Sequence, residues 1–134
     1  MARIVCLGEV LLGLGAPRRE FLVQNPVPDV HVGGAEANVA VSLARFGHDT
    51  AMISGAPDNA LGEAAVGELR RHGVDTRHVR RLPGRMGLYF LATGAGHRPS
   101  EVLYERADSA FALSTHDRYD FAAAQQVKPD DKRL

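Results

Sequence analysis

Apolar runs alternate with helical patterns along the first half of the chain. A short apolar run at residues 2–8 predicts a buried strand, and residues 50–54 predict another. Residues 35–46 and 60–72 repeat apolar positions with the spacing of a helix. Short loops join these segments. The order strand, helix, strand, helix therefore predicts an α/β fold with a parallel sheet.

Glycine and asparagine mark the ends of both predicted helices. Gly47 and Gly73 follow the last apolar positions, where a left-handed residue commonly closes a helix. Asn59 precedes the second helix, and we expect its side chain to accept hydrogen bonds from the free N–H groups there. The helix at 35–46 is apolar on most sides, so we expect it to be largely buried.

The pattern changes after the second helix. Two strand-like runs at residues 86–93 and 101–106 are joined by the loop 94–100, which predicts a hairpin. Short apolar pieces within 10–32 are punctuated by prolines, which predicts further short strands near an edge. We therefore expect a small antiparallel sheet beside the parallel one.

The segment around Gly33 and Gly34 is the first candidate for chemistry. Glycines before a helix let a ligand approach the backbone, and the free N–H groups of the first turn point toward that ligand. Asn38 lies about one turn into the helix, where its amide offers donors and an acceptor. This combination suits a polyhydroxylated ligand. A tight glycine turn with Asn38 bonded to its own backbone explains the same residues equally well.

The hairpin is the second candidate. Side chains alternate between the two faces of a strand. Tyr89 therefore lies on the same face of the first strand as Leu91, and Tyr104 and Arg106 lie on the same face of the second. If the register aligns these faces, phenol groups and a guanidinium converge on one surface suited to hydroxyls and a carboxylate. An amphipathic hairpin with its polar side in water is the alternative, and from the residues alone it is favoured.

Composition narrows the class of protein. The chain has 134 residues, 45% hydrophobic and 24% charged, which is typical of one globular domain rather than a disordered chain. Its formal net charge of zero argues against a nucleic-acid partner, whose phosphates select an excess of Lys and Arg. No apolar run approaches the ~20 residues of a membrane-spanning helix, so no membrane partner is expected.

Other candidate chemistry is weaker. The first apolar run is too short for a signal peptide, so we expect a cytoplasmic protein. The histidines lack metal-ligand spacing, and no metal site is expected. Cys6 lies in an apolar strand pattern, which favours a buried structural thiol over a nucleophile.

The motifs together resemble those of the PfkB carbohydrate kinases, the ribokinase-like family. The residues that carry the resemblance are Gly33-Gly34-Ala35-Glu36-Ala37-Asn38-Val39-Ala40, Leu43-Ala44-Arg45-Phe46-Gly47, Leu61-Gly62, Leu69 and Gly73-Val74-Asp75. The hairpin is similar to that of one branch, the 2-keto-3-deoxygluconate kinases, at Gly87-Leu88-Tyr89-Phe90, Gly94-Ala95-Gly96, Arg98-Pro99-Ser100 and Tyr104-Glu105-Arg106-Ala107. The resemblance runs over about residues 3–121.

This resemblance implies a ribokinase-like fold: a Rossmann-type parallel sheet with helices and an antiparallel β lid that closes over a sugar. It also implies ATP-dependent phosphorylation of a small-molecule sugar acid, 2-keto-3-deoxygluconate, at its terminal hydroxyl, with Mg²⁺. Gly34, Asn38, Tyr89, Tyr104 and Arg106 match sugar-contacting positions of the family. The lid or an exposed sheet edge is expected to make a homo-oligomer.

The chain is shorter than the members of the family that it resembles. We expect residues 1–124 to be the N-terminal, sugar-binding part of such a kinase, with lid strands within about 10–32 and 86–106, and 125–134 to be a divergent polar tail. The catalytic base and the ATP site belong to a part of the family that is not matched here, so no catalytic residue is expected in this chain. We expect a fragment or truncated frame that is inactive alone and holds neither ATP nor Mg²⁺. A non-enzymatic sugar-binding or interaction module, or a ribose or fructose kinase, are the alternatives.

Overall fold

The computed structural model describes residues 2–126. The strands are β1 (Ile4–Leu7), β2 (Leu11–Gly15), β3 (Asp29–Gly33), β4 (Thr50–Pro57), β5 (Val79–Leu82), β6 (Leu88–Ala92) and β7 (Glu101–Glu105). The helices are α1 (Ala35–Arg45), α2 (Ala60–Arg71) and the short α3 (Phe121–Ala124), with a 3₁₀ turn at His116–Arg118. The prediction of a polar tail at 125–134 falls mainly on 127–134, which lie outside the described residues.

The first sheet is parallel, as the alternation of strands and helices predicts. Its strand order is β1-β4-β5, and Ile4 of β1 stands opposite Thr50 of β4. Every residue of β4 is buried, because the strand is flanked on both sides by other strands and packs against α1, α2 and α3. The predicted α/β class is confirmed.

Strand β5 is an element that the sequence pattern did not reveal. Val79 and Leu82 are buried at its ends, while Arg80 is exposed and Arg81 is partly buried between them. The apolar run that normally identifies a buried parallel strand is therefore interrupted by charge. Arg81 remains compatible with the strand because its guanidinium reaches Glu63 of α2 at 2.6 Å.

Helix α1 is placed as predicted but is less buried than predicted. It ends one residue earlier than expected, and Gly47 follows with a φ of +92°. Ala37 and Ala40 pack against the parallel sheet, whereas Val39 is 51% and Phe46 81% exposed. The expectation of a largely buried helix was wrong, because no described element covers the second apolar face of α1.

Helix α2 begins as the sequence predicts. The side chain of Asn59 accepts hydrogen bonds from the backbone N–H groups of Leu61 and Gly62, both at 3.0 Å. These contacts satisfy donors that have no partner within the helix. The role of Asn59 as N-cap is confirmed.

The second sheet, which we call the lid sheet, has the strand order β3-β2-β6-β7. The outer pairs β2–β3 and β6–β7 are antiparallel, and the latter is the predicted hairpin. The central pair, β2–β6, is parallel, because the chain runs through the whole parallel layer before it returns to β6. Leu12, Val32 and Leu88 on one face of the lid sheet pack against the main core, so the two sheets share apolar contacts.

Candidate functional site

An open cavity of about 910 Å³ lies between the lid sheet, the carboxyl end of β1 and the first turn of α1. Its lining residues are Leu7, Gly8, Glu9, Leu11, Gly34, Ala35, Glu36, Asn38, Tyr89, Leu91, Val102, Tyr104, Arg106, Phe111 and Ala112. All of the residues that the sequence predicts as sugar contacts are in this set. The fold therefore brings the two candidate segments, which are far apart in sequence, to one place.

The first turn of α1 forms one wall of the cavity. Gly34 precedes the helix with a φ of +113°, and a Cβ atom there would collide with the carbonyl oxygen of Glu9. Glycine is required at this position both by the backbone conformation and by this close approach. Within the described residues no side chain caps α1, so the N–H groups of its first turn face the cavity without a side-chain acceptor. Asn38, which is exposed, stands one turn into the helix.

The hairpin forms the opposite wall. Tyr89 of β6 and Tyr104 of β7 are register partners, and their ring centroids lie 6.3 Å apart. The guanidinium carbon of Arg106 lies 4.7 Å from the centroid of the Tyr104 ring. The register of the hairpin therefore aligns the two faces, and Tyr89, Tyr104 and Arg106 converge on one surface.

The segment that follows Arg106 is anchored from two sides. The guanidinium of Arg85 donates hydrogen bonds to the carbonyl oxygen of Ala107 at 2.7 and 3.0 Å. The fully buried Ser109 donates its hydroxyl to the carboxylate of Glu9 at 2.6 Å. These contacts connect the end of the hairpin to the parallel layer and hold Arg106 at the cavity.

Glu9 and Glu36 are cavity residues that sequence reasoning missed. Glu9 lies two residues beyond the end of β1, and Glu36 lies in the first turn of α1. The signal that could have identified Glu9 is its position after a buried strand, since ligands of α/β proteins bind beyond the carboxyl ends of parallel strands. The cavity thus has carboxylates on the side of the parallel layer and the cation of Arg106 on the side of the hairpin.

Cys6 lies beneath this region and is buried, as predicted. Burial raises the pKa of its thiol, and the nearby carboxylate of Glu36 raises it further. A thiol with a raised pKa is a poor nucleophile, because the thiolate is the reactive form. Cys6 is therefore a core residue rather than a reactive group of the cavity.

The described residues contain no cluster of metal-binding side chains. No group of three or more His, Cys, Asp or Glu residues within residues 2–126 is arranged to hold an ion. No helix in the same range combines the length and the apolar character needed to span a bilayer.

A parallel α/β layer with a sheet lid over a cavity defines the ribokinase-like class of fold. The model of the pfkB family carbohydrate kinases matches residues 1–129, and the chain belongs to this family. The family resemblance inferred from the motifs is confirmed, as is the predicted fold.

The proteins similar to this chain include kinases of 2-dehydro-3-deoxy sugar acids. The chain is 35% identical over 116 residues to the 2-dehydro-3-deoxygalactonokinase of Haloferax volcanii, covering 87% of this chain and 36% of that relative. The crystal structure of 2-dehydro-3-deoxygluconokinase from Thermotoga maritima superposes with a TM-score of 0.89 and 41% identity over 92% of this chain and 38% of that one.

A third similar protein was solved with ATP bound. The uncharacterised sugar kinase PH1459 of Pyrococcus horikoshii, solved in complex with ATP, superposes with a TM-score of 0.79 and 29% identity over 89% of this chain and 39% of that chain. The chain thus spans well under half the length of each of these relatives.

Proposed function

We propose that this chain provides the sugar-binding part of a kinase that transfers phosphate from ATP to the terminal hydroxyl of 2-keto-3-deoxygluconate. The observation that carries the proposal is the convergence of Tyr89, Tyr104 and Arg106 opposite the open first turn of α1. Similarity to kinases of 2-dehydro-3-deoxy sugar acids supports the choice of substrate class, since 2-dehydro and 2-keto name the same group.

Arg106 is the proposed partner of the substrate carboxylate. In the part of the chain that the structure describes, its guanidinium makes no ion pair and lies over the Tyr104 ring. An unpaired guanidinium can donate two parallel hydrogen bonds to a carboxylate, a geometry that lysine does not reproduce. Its contact with the Tyr104 ring is through the guanidinium carbon, so its N–H donors are available to a ligand.

The opposite side of the cavity is the proposed site for the hydroxyl chain. Hydroxyl groups need both donors and acceptors. The backbone N–H groups after Gly34 and the amide of Asn38 provide donors, and the carboxylates of Glu9 and Glu36 provide acceptors. These carboxylates also repel the substrate's own carboxylate, so the charge pattern favours one orientation with the acid at Arg106.

ATP and Mg²⁺ are the proposed co-substrates of the complete enzyme, by analogy with the family. The cavity itself does not suit a triphosphate, because Glu9 and Glu36 line it and the described residues contain no lysine (the chain's Lys128 and Lys132 lie beyond them). We therefore assign the cavity to the sugar acid alone and derive no step of phosphoryl transfer from it.

A titration tests the assignment. Isothermal titration of the chain with 2-keto-3-deoxygluconate and with fructose, a neutral sugar, compares an acid with a ligand that lacks the carboxylate. Arg106→Ala is expected to weaken binding of the acid at least about tenfold, since a charge-assisted hydrogen bond contributes roughly 1.5–3 kcal/mol. Binding of fructose should change little. Arg80→Ala, an exposed arginine on β5 outside the cavity, is the matched control.

The outcomes separate the alternative functions. Equal losses for both ligands in Arg106→Ala would contradict the role of Arg106 as the carboxylate contact. Tighter binding of fructose than of the acid would favour a fructose-type kinase. Binding of the acid without ATP-dependent turnover in any longer form of the protein would favour a sugar-binding module.

We also propose that two copies associate through the lid sheet. Val30, Leu14, Phe90 and Leu103 stand opposite one another across β3, β2, β6 and β7, on the face that points away from the cavity. Val30 is 61% and Leu103 46% exposed, so the row offers an apolar surface at its two ends. Light scattering behind size exclusion should show a dimer that Leu103→Lys disrupts; a monomer at high micromolar concentration would contradict the proposal.

A further inference from the structure

The Tyr89 ring is seated across two neighbouring strands at positions occupied by glycine. Gly13 of β2 is the register partner of Tyr89, and Gly33 lies next to β2 on β3. A Cβ atom built on Gly13 would collide with the Tyr89 ring, lying only 2.6 Å from its Cε2 atom and closer still to Cζ and the hydroxyl. A Cβ on Gly33 would lie 2.9 Å from the same hydroxyl. The ring therefore occupies the space that side chains at these positions would fill. We call this space over Gly13 and Gly33 the seat of the Tyr89 ring.

Backbone conformation does not explain these glycines. Gly13 and Gly33 lie in regular strands and are not among the residues with positive φ, unlike Gly34. Glycine in a strand interior weakens the strand, and it often marks close approach of another group. Here that group is the aromatic ring of Tyr89.

The seat determines where the tyrosine hydroxyl lies. The position of a Cβ on Gly33 is 2.9 Å from the Tyr89 hydroxyl and 3.7 Å from the Oδ1 atom of Asn38. A group from the lid sheet and a group from α1 therefore both approach Gly33. Both line the cavity, so the ring joins the hairpin wall to the helix wall.

We propose that Gly13 is a specificity-determining position, because it leaves room for the Tyr89 ring against β2 and so sets the depth of the cavity. A side chain at residue 13 would displace the ring into the cavity and move its hydroxyl away from its position beside Gly33. The cavity would then exclude a ligand with the length of a six-carbon acid. The inference rests on the proposed function for its ligand, but the seat itself does not depend on it.

Gly13→Ala tests the proposal, and Gly15→Ala is its matched control. Both residues are buried glycines of β2 on the same face, but a Cβ on Gly15 would meet only backbone oxygens at an ordinary 3.9 Å. Ring resonances of the chain's 3 tyrosines, assigned with Tyr→Phe variants, report the position of Tyr89 without any ligand. Titration with 2-keto-3-deoxygluconate reports the cavity.

The expected result is specific to Gly13. Gly13→Ala should shift the Tyr89 resonances and weaken binding of the acid at least about tenfold, the discrimination that one methyl-sized group commonly gives in a fitted pocket. Gly15→Ala should change neither. In a Tyr89→Ala background, the added Gly13→Ala change should have little further effect, because the ring that it displaces is gone.

Other outcomes overturn the proposal. Unchanged Tyr89 resonances in Gly13→Ala would mean that no seat exists, and displaced resonances with unchanged affinity would mean that the seat does not determine specificity. If Gly13→Ala does not fold, folding of Gly13→Ala/Tyr89→Ala supports the seat, and failure of that pair refutes it. Absence of acid binding by the unchanged chain would refute the proposed function and the specificity role, while the resonances would still decide whether the seat exists.

Discussion

Replacement of Arg3 by methionine is expected to destabilise the chain more than any exposed charge deletion. The Arg3 side chain is only 3% exposed, and its guanidinium reaches Asp75 at 2.5 Å and Asp49 at 3.2 Å. It also donates to the carbonyl oxygen of Ala124 in α3 at 3.1 Å. One buried cation therefore joins the N-terminal residues, the residue before β4, the loop before β5 and the helix α3.

The expected loss in the free energy of unfolding depends on the carboxylates that lose Arg3 as a partner. Methionine fills the volume of Arg3 but leaves two carboxylates without this partner, and removal of one member of a buried ion pair costs about 3–5 kcal/mol. Asp75 keeps a second partner, Arg77, at 2.9 Å, which places the expected loss near the lower end, about 3 kcal/mol. That is a large share of the 5–15 kcal/mol typical of a domain.

Urea unfolding followed by far-UV circular dichroism at pH 7 measures this loss. Arg71→Met is the matched control, because Arg71 pairs with Glu68 in α2 while its side chain is 67% exposed. The control should leave the unfolding midpoint almost unchanged, since water and salt screen such pairs. A midpoint shift in Arg3→Met no larger than that of Arg71→Met would refute the reasoning.

Changes at Asp75, Asn59 and Gly34 are also expected to alter the stability of the chain. Burial by itself would raise the pKa of Asp75, but hydrogen bonds from arginine outweigh it and hold that pKa well below its usual range. Asp75 therefore stabilises the fold fully above its ordinary pKa of about 3.9, and urea midpoints should fall as the pH drops below that value, less so in Asp75→Asn. Asn59→Ala should lower the free energy of unfolding by about 1 kcal/mol in urea titrations. Gly34→Ala should lower the melting temperature more than Gly47→Ala, because a Cβ on Gly47 meets open space; equal losses would contradict the close approach at Gly34.

Local pattern was sufficient for the helices and for the class of fold. The spacing of apolar residues and the capping residues Asn59 and Gly47 are properties of neighbouring positions in the chain, so α1, α2 and the parallel order could be predicted from them. Strand β5 could not, because Arg80 and Arg81 interrupt the apolar run, and Arg81 is accommodated by its partner Glu63 on α2.

Burial was the property that local pattern predicted least well. The apolar surface of α1 suggested a covered helix, yet Val39 and Phe46 are exposed. Whether an apolar face is covered depends on which element the chain folds against it, and that information is not contained within the helix itself.

The candidate site divides in the same way. The two segments that carry it could be predicted from the sequence, since the glycines before α1 and the Tyr89, Tyr104 and Arg106 pattern of the hairpin follow one another along the chain. Three features depend on tertiary contacts: these segments face each other, Glu9 and Glu36 join them at the cavity, and Gly13 makes room for the Tyr89 ring. The physical reason is that strand register and close packing are set by contacts between residues far apart in sequence, which alternation and spacing within one segment do not encode.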